Sequence, residues 1–227
     1  MNLSKALFFI GDSFCGLARK FDFEYKYNHL YGDADPLELK RVDYPLSKNS
    51  VVVDIGGLNG DWASRIFCRY CCRIDIYEPT PGMAKQARWN FGCNPRVSVF
   101  SFGLSDIRGT LKLYGEPLKA SLFGPDDKPA IDVMVKIVSE VFGVSYPDGI
   151  DLLKINAEGA EYTILPDLIR NYGVEKIRDI QIQFHKTIDG KAIERATEQR
   201  DAIRKELAKT HQITYCYEWA FENWRLK

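Results

Sequence analysis

The sequence has no surplus of charge: 31 Lys and Arg balance 31 Asp and Glu. A dedicated duplex DNA or RNA binder needs a strongly basic face, so that class is disfavoured. The signs also interleave, and no block of like charge marks a tail or a lipid-binding patch. Long apolar runs are missing as well. The early run Ala6-Leu7-Phe8-Phe9-Ile10 is far below the roughly 20 residues that cross a bilayer, and Asp12 cuts it too short for a signal peptide. A cytoplasmic chain is therefore expected. Metal-ligand spacing is lacking too: Cys68, Cys71 and Cys72 cluster, but no second CxxC supplies the other half of a zinc site. The six cysteines (15, 68, 71, 72, 93 and 216) are expected as reduced, buried thiols. There is no internal repeat and no low-complexity segment.

What is present is a globular composition: 227 residues, 45% hydrophobic and 13% aromatic. That suffices for one domain with a full core, with at most a short extension. Strand-like and helix-like stretches alternate. Val51-Val52-Val53-Asp54-Ile55 is a β-branched run closed by glycines, as in a buried parallel strand. Asp61 to Arg69 reads as a helix, and Arg73 to Tyr77 as a strand stopped by Glu78-Pro79. Pro81 to Phe91 reads as a helix with proline in its first turn, and Arg96 to Phe102 as a third strand. Gly109 to Tyr114 alternates like a half-exposed strand. Residues 115–130 hold three prolines and two glycines and are expected to be a loop. Ile131 to Val138 is strand-like, and Ser139 to Val144 is one or two helical turns.

The alternation resumes with a strand at Asp151 to Ile155, a helix from Tyr162 to Arg170 carrying Pro166, and a strand from Ile177 to Phe184. A long amphipathic helix spans Asp189 to Lys209, with Ile193, Ala196, Ile203 and Leu207 inward. Ile213 to Tyr217 and Asn223 to Leu226 close the sheet. This order predicts an α/β sheet with helices on both faces, mostly parallel with an antiparallel last strand.

Ligands of such sheets bind at the carboxyl ends of the strands. The first strand runs into Gly56-Gly57-Leu58-Asn59-Gly60, a glycine turn that lets a ligand approach the backbone. The dinucleotide fingerprint G-x-G-x-x-G fails because Ile55 stands where its first glycine belongs, and no Gly-Lys-Ser/Thr makes a P-loop. Glu78 ends the second strand, where a carboxylate accepts hydrogen bonds from ribose hydroxyls. A glycine turn without phosphate features, plus a ribose-reading acid, suits a nucleoside without phosphates, such as S-adenosylmethionine. A plain strand-turn-helix with a solvated glutamate is the competing reading.

Lys154-Ile155-Asn156-Ala157-Glu158-Gly159-Ala160-Glu161 resembles the K-I-D-x-E-G-A-E signature of the FkbM family of S-adenosylmethionine-dependent methyltransferases. Asp54-Ile55-Gly56-Gly57-Leu58-Asn59-Gly60 is similar to that family's D-x-G-A-N-x-G. Glu78-Pro79, Gly103-Leu104-Ser105-Asp106, the strand ending in His185, and the closing Trp219 and Glu222-Asn223-Trp224 also match in order. The resemblance covers roughly residues 50–227. It implies a class I, Rossmann-like methyltransferase domain there, preceded by a 1–49 extension whose helical Leu3–Lys20 stretch is expected as part of a lid. It also implies methyl transfer, commonly to a hydroxyl of a sugar or natural product. Asp54, Gly56, Gly57, Gly60, Glu78, Ser105, Asp106 and Asn156 are then the expected cofactor-binding residues. Two departures stand out: Asn156 replaces the family's aspartate, and Leu58-Asn59 inverts its polar and apolar order.

A hydroxyl is a weak nucleophile and needs a base or a metal to take its proton. His185, with an ordinary imidazole pKa, and Glu158 are the candidate catalytic residues. Asn156, Glu158 and His185 make a poor Mg²⁺ site, so a metal-free base is favoured. Each has a structural alternative: His185 bonded to a carbonyl, Glu158 capping a helix, Asp106 capping a turn. Lys154 is expected beside an acid, His29 and His211 in exposed or turn positions, and Trp219 and Trp224 in packing. The expected acceptor is a small molecule or glycan held by residues 1–49 and 115–149, with Lys119, Lys128 or Lys186 meeting any anionic group. A non-catalytic S-adenosylmethionine-binding protein, and an O-methyltransferase acting on a non-sugar natural product, remain as alternatives.

Overall fold

The computed structural model describes residues 36–114, 130–186 and 193–227. The expected Leu3–Lys20 helix and the 115–130 loop (but for Ala130), with Cys15, His29, Lys119 and Lys128, lie outside them, as does the start of the long helix. Two compact units divide after Tyr44. In the first, the described part is a short helix, α1 (Pro36–Lys40), followed by an Arg41–Glu38 ion pair.

The second unit is built on a seven-stranded sheet of order β3-β2-β1-β7-β8-β10-β9. Its strands are β1 (Val51–Ile55), β2 (Arg73–Tyr77), β3 (Val97–Phe100), β7 (Ile150–Ile155), β8 (Ile177–Ile182), β9 (His211–Tyr217) and β10 (Phe221–Leu226). The pairs β3/β2, β2/β1, β1/β7 and β7/β8 are parallel. β10 runs antiparallel between β8 and β9, so the last strand in the chain is the antiparallel one, as expected. Val52, Val53, Leu152, Leu153, Ile155, Ile180 and Ile182 are fully buried, which is why these strands read as continuous apolar runs. Each such side chain contributes roughly 1.5–3 kcal/mol on leaving water. Strand order reverses between β1 and β7, and the crevice above that point is where such sheets take ligands.

Helices α2 (Asp61–Tyr70), α3 (Pro81–Phe91), α4 (Val138–Ser145), α5 (Glu161–Asp167) and α6 (Ile193–Leu207) connect the strands. Ala196, Ile203 and Leu207 of α6 are buried as expected. The helix expected to run to Arg170 ends at Asp167, just past Pro166, and continues as a π-helical turn, Leu168–Tyr172. Proline removes an amide donor from the ladder, and the wider turn takes up the change.

Three expectations are corrected. The third strand stops at Phe100, and β4 (Gly103–Ser105) leaves for a second, three-stranded sheet of order β4-β6-β5 with β5 (Gly109–Tyr114) and β6 (Ala130–Ile137). Of the described cysteines only Cys72 is buried; Cys68, Cys71, Cys93 and Cys216 are exposed. Three of them sit at or just beyond helix ends, where apolar periodicity no longer governs burial. His211 is 1% exposed rather than a surface histidine. Its Nε2 meets the Ile177 carbonyl at 2.8 Å, and burial lowers its pKa.

Candidate active site

The loop after β1 folds against the carbonyl end of β7. Gly56 has φ +73°, and a Cβ there would lie 1.8 Å from the Asn156 carbonyl oxygen, so only glycine fits. Gly60 (φ +88°) precedes α2 against the Phe91 ring. Leu58 is also left-handed, at φ 48°. It holds the place of the family pattern's asparagine, which tolerates that region far better, so the inverted Leu58-Asn59 order carries a strain of about 1 kcal/mol. Part of the compensation is visible: the Leu58 amide donates to Glu78 Oε2 at 2.9 Å.

Asp54 lies beneath this loop. Lys154 Nζ donates to Asp54 Oδ1 at 2.7 Å and to the Gly56 carbonyl at 2.9 Å, with side-chain exposures of 4% and 0% for Lys154 and Asp54. The pair stands in register on β1 and β7 (Asp54↔Lys154) and ties the glycine loop to both strands. Lys154 is thus beside an acid, as expected. Asp54 supports the loop from below and does not line the cavity.

Above the loop is an open cavity at the carboxyl ends of the strands, the place where such sheets take ligands. Of the expected site residues, Gly56, Glu78, Ser105, Asn156 and Glu158 line it; Gly57, Gly60, Asp106 and His185 do not. Glu78 is 2% exposed. Its Oε1 accepts the Thr80 amide at 2.8 Å and its Oε2 the Leu58 amide. Burial pushes this carboxyl upward despite those bonds and the Lys154 charge. Each oxygen retains acceptor capacity, since a carboxylate offers about four lone-pair sites. Asn156 Oδ1 is buried and has no hydrogen-bond partner among the described residues. A buried, unpaired acceptor in a cavity wall fits a ligand that brings a donor. Ser105 Oγ donates to Asp106 Oδ1 at 3.1 Å, so Asp106 braces the turn at the cavity's edge.

On the other side of the cavity, Glu158 sits in a left-handed turn (φ 50°) followed by Gly159 (φ 104°). Its Oε2 is 3.4 Å from His185 Nε2, and its side chain is 44% exposed. His185 follows the end of β8, 18% exposed, with Nδ1 2.9 Å from Glu161 Oε1. Burial opposes charge on this ring, but the hydrogen bonds and charges of Glu158 and Glu161 together outweigh it and raise its pKa to about 10. The expectation of an ordinary imidazole pKa is therefore corrected: the two glutamates favour the protonated form of the ring.

Two features went unread in the sequence. One is Glu161, fully buried at the start of α5; its spacing of three from Glu158 was the available signal. The other is an aliphatic wall of Leu111 and Leu113 from β5 and Val133 and Val135 from β6, announced only by the period-2 alternation of those strands.

A family model described as "Methyltransferase FkbM domain" matches residues 54–215. No curated protein matches the chain. Among solved structures, a putative rRNA-methylase from Clostridium thermocellum is 10% identical, with 80% of this chain and 88% of that one covered at a TM-score of 0.51. M. capricolum TrmK in complex with the cofactor product S-adenosyl-homocysteine is 11% identical, with 85% and 69% covered at 0.50. A putative methyltransferase from Streptococcus mutans, in complex with SAH, is 10% identical, with 85% and 98% covered at 0.50. These structures share the fold.

Proposed function

The chain belongs to the FkbM methyltransferase family, and on that premise we propose that it transfers a methyl group from S-adenosylmethionine to a hydroxyl of a sugar, a glycan or a glycosylated metabolite. The observation that carries this reading is the Glu158 carboxylate, which lines the same cavity as Glu78 and Asn156. A hydroxyl acceptor must lose a proton during transfer, and a carboxylate at the cavity rim is suited to take it.

Bound in this cavity, S-adenosylmethionine supplies an electrophilic sulfonium methyl group. Glu78 would hold the ribose hydroxyls with its remaining lone pairs. Asn156 Oδ1 would accept from the ammonium of the methionine part, a donor that no described residue supplies. Its neutral amide serves this purpose as the family's aspartate would, with less charge at the rim. Glu158 receives the acceptor proton and passes it to solvent, while His185, 3.4 Å away, aims the carboxylate. A carboxylate at this place also suits the positive charge of the sulfonium.

The wall of Leu111, Leu113, Val133 and Val135 favours a second reading, a hydroxyl on a natural product with an apolar face. The chain's balanced charge supports a small acceptor over nucleic acid. Among the described residues, no helix is long and apolar enough to cross a membrane.

The test is incubation with methyl-labelled S-adenosylmethionine and separate pools of nucleotide sugars, oligosaccharides, hydroxylated apolar metabolites and RNA. Label is expected as a methyl ether in a sugar pool. Label in the apolar pool alone selects the second reading, and label on RNA or on nitrogen contradicts both.

A further inference from the structure

His185 is gripped by the first turn of α5. Glu161 Oε1 accepts the His185 backbone amide at 2.8 Å and stands 2.9 Å from its Nδ1. The Tyr162 hydroxyl donates to the His185 carbonyl at 2.6 Å. One residue thus has its amide, its carbonyl and its ring all held by two consecutive side chains. The other oxygen of Glu161, Oε2, accepts the Gly159 amide at 2.9 Å and so closes the left-handed Glu158-Gly159 turn. A single buried carboxylate therefore joins the turn that presents Glu158 to the strand end that presents His185. An acid in the first turn suits a helix start, but Glu161 is fully buried, where an unpaired charge would be costly, and among the described residues its carboxylate is satisfied by groups at the candidate site.

We propose that Glu161 is the positioning residue of this active site. Its carboxylate fixes the His185 ring with Nε2 toward Glu158 and, through the Gly159 amide, fixes the turn that places Glu158 at the cavity rim. The inference rests on the reading of Glu158 as the proton acceptor, but the grip on His185 is measurable apart from it. Among the described residues, the titratable groups facing the ring are Glu158 and Glu161; the Tyr162 hydroxyl faces its carbonyl.

The experiment follows the His185 ring by NMR titration in the full chain, in wild type, Glu161→Gln and Glu158→Gln. Folding is checked by melting, and turnover is measured on the acceptor found above. In wild type the ring is expected to titrate near 10. In Glu161→Gln its midpoint is expected to fall by about 1–3 pH units, and kcat to fall more than the KM for S-adenosylmethionine changes. In Glu158→Gln the midpoint is expected to stay above the ordinary 6.5, because Glu161 still holds the ring. That variant decides the matter should Glu161→Gln fail to fold. An unchanged midpoint in Glu161→Gln, or a return to the ordinary value in Glu158→Gln, overturns the proposal. Full turnover in Glu158→Gln removes Glu158 as the base, and the role of positioning it goes with that; the hold of Glu161 on the ring is still read from the midpoints.

Discussion

The two sides of the cavity are built from different materials. On the side of Glu78 the polar groups are locked to main chain: both carboxylate oxygens hold backbone amides, and Lys154 grips a backbone carbonyl as well as Asp54. On the side of Glu158 backbone bonds from Glu161 and Tyr162 are joined by contacts between charged side chains, and Glu158 is 44% exposed where Glu78 is 2%. The first side is framed by main chain at the ends of β1, β2 and β7. The second adds contacts between the side chains of Glu158, His185 and Glu161. On the proposed reading, a site so divided holds the cofactor through the backbone frame and serves the acceptor through side chains.

Substitutions on each side should therefore fail differently. The largest effect is expected from Glu158→Gln, which keeps the shape and removes the proposed base. Turnover should fall by about 10²–10⁴-fold, while calorimetry finds S-adenosylmethionine binding nearly unchanged. Equal losses in binding and turnover would blur the division. Lys154→Met leaves Asp54 buried without its partner, and breaking such a pair costs about 3–5 kcal/mol. Chemical denaturation should show that loss in folding stability, whereas Glu158→Gln should leave the denaturation midpoint near wild type. Glu78→Ala removes two charge-assisted hydrogen bonds to ligand, and the Kd for S-adenosylmethionine should rise by about 10²-fold.

The smallest effect is a pH dependence. The His185 pKa is raised on folding, from 6.5 to about 10. Its stabilising contribution is fully present below about pH 6.5 and is lost as pH rises through about 10. The melting advantage of wild type over His185→Gln should shrink across that window. A constant difference would mean that the ring is not held as a cation.

Much of the fold was legible from local pattern. The bounds of β1, β2 and β5 follow directly from β-branched or alternating runs closed by glycine or by Glu78-Pro79. The glycine turn and Glu78 could be placed at the cavity because strand ends and glycines announce backbone conformation. The departure of β4 into a second sheet was not legible, because pairing Gly103–Ser105 with Val135–Ile137 joins residues about thirty positions apart. Nor was the charge of His185, which depends on its distance to Glu161 across 24 residues. His211 escaped for the same reason: its partner carbonyl, Ile177, is 34 residues away. Local spacing reports conformation well, but a side chain's protonation and burial are settled by neighbours that the chain brings from afar.

The most direct test is a crystal structure with S-adenosylhomocysteine bound. The expected result places the ribose hydroxyls about 3 Å from the Glu78 carboxylate, the amino group on Asn156 Oδ1, and the sulfur facing Glu158. A nucleoside bound away from Glu78, or a sulfur turned from Glu158, would contradict the division of the site into a cofactor side and an acceptor side.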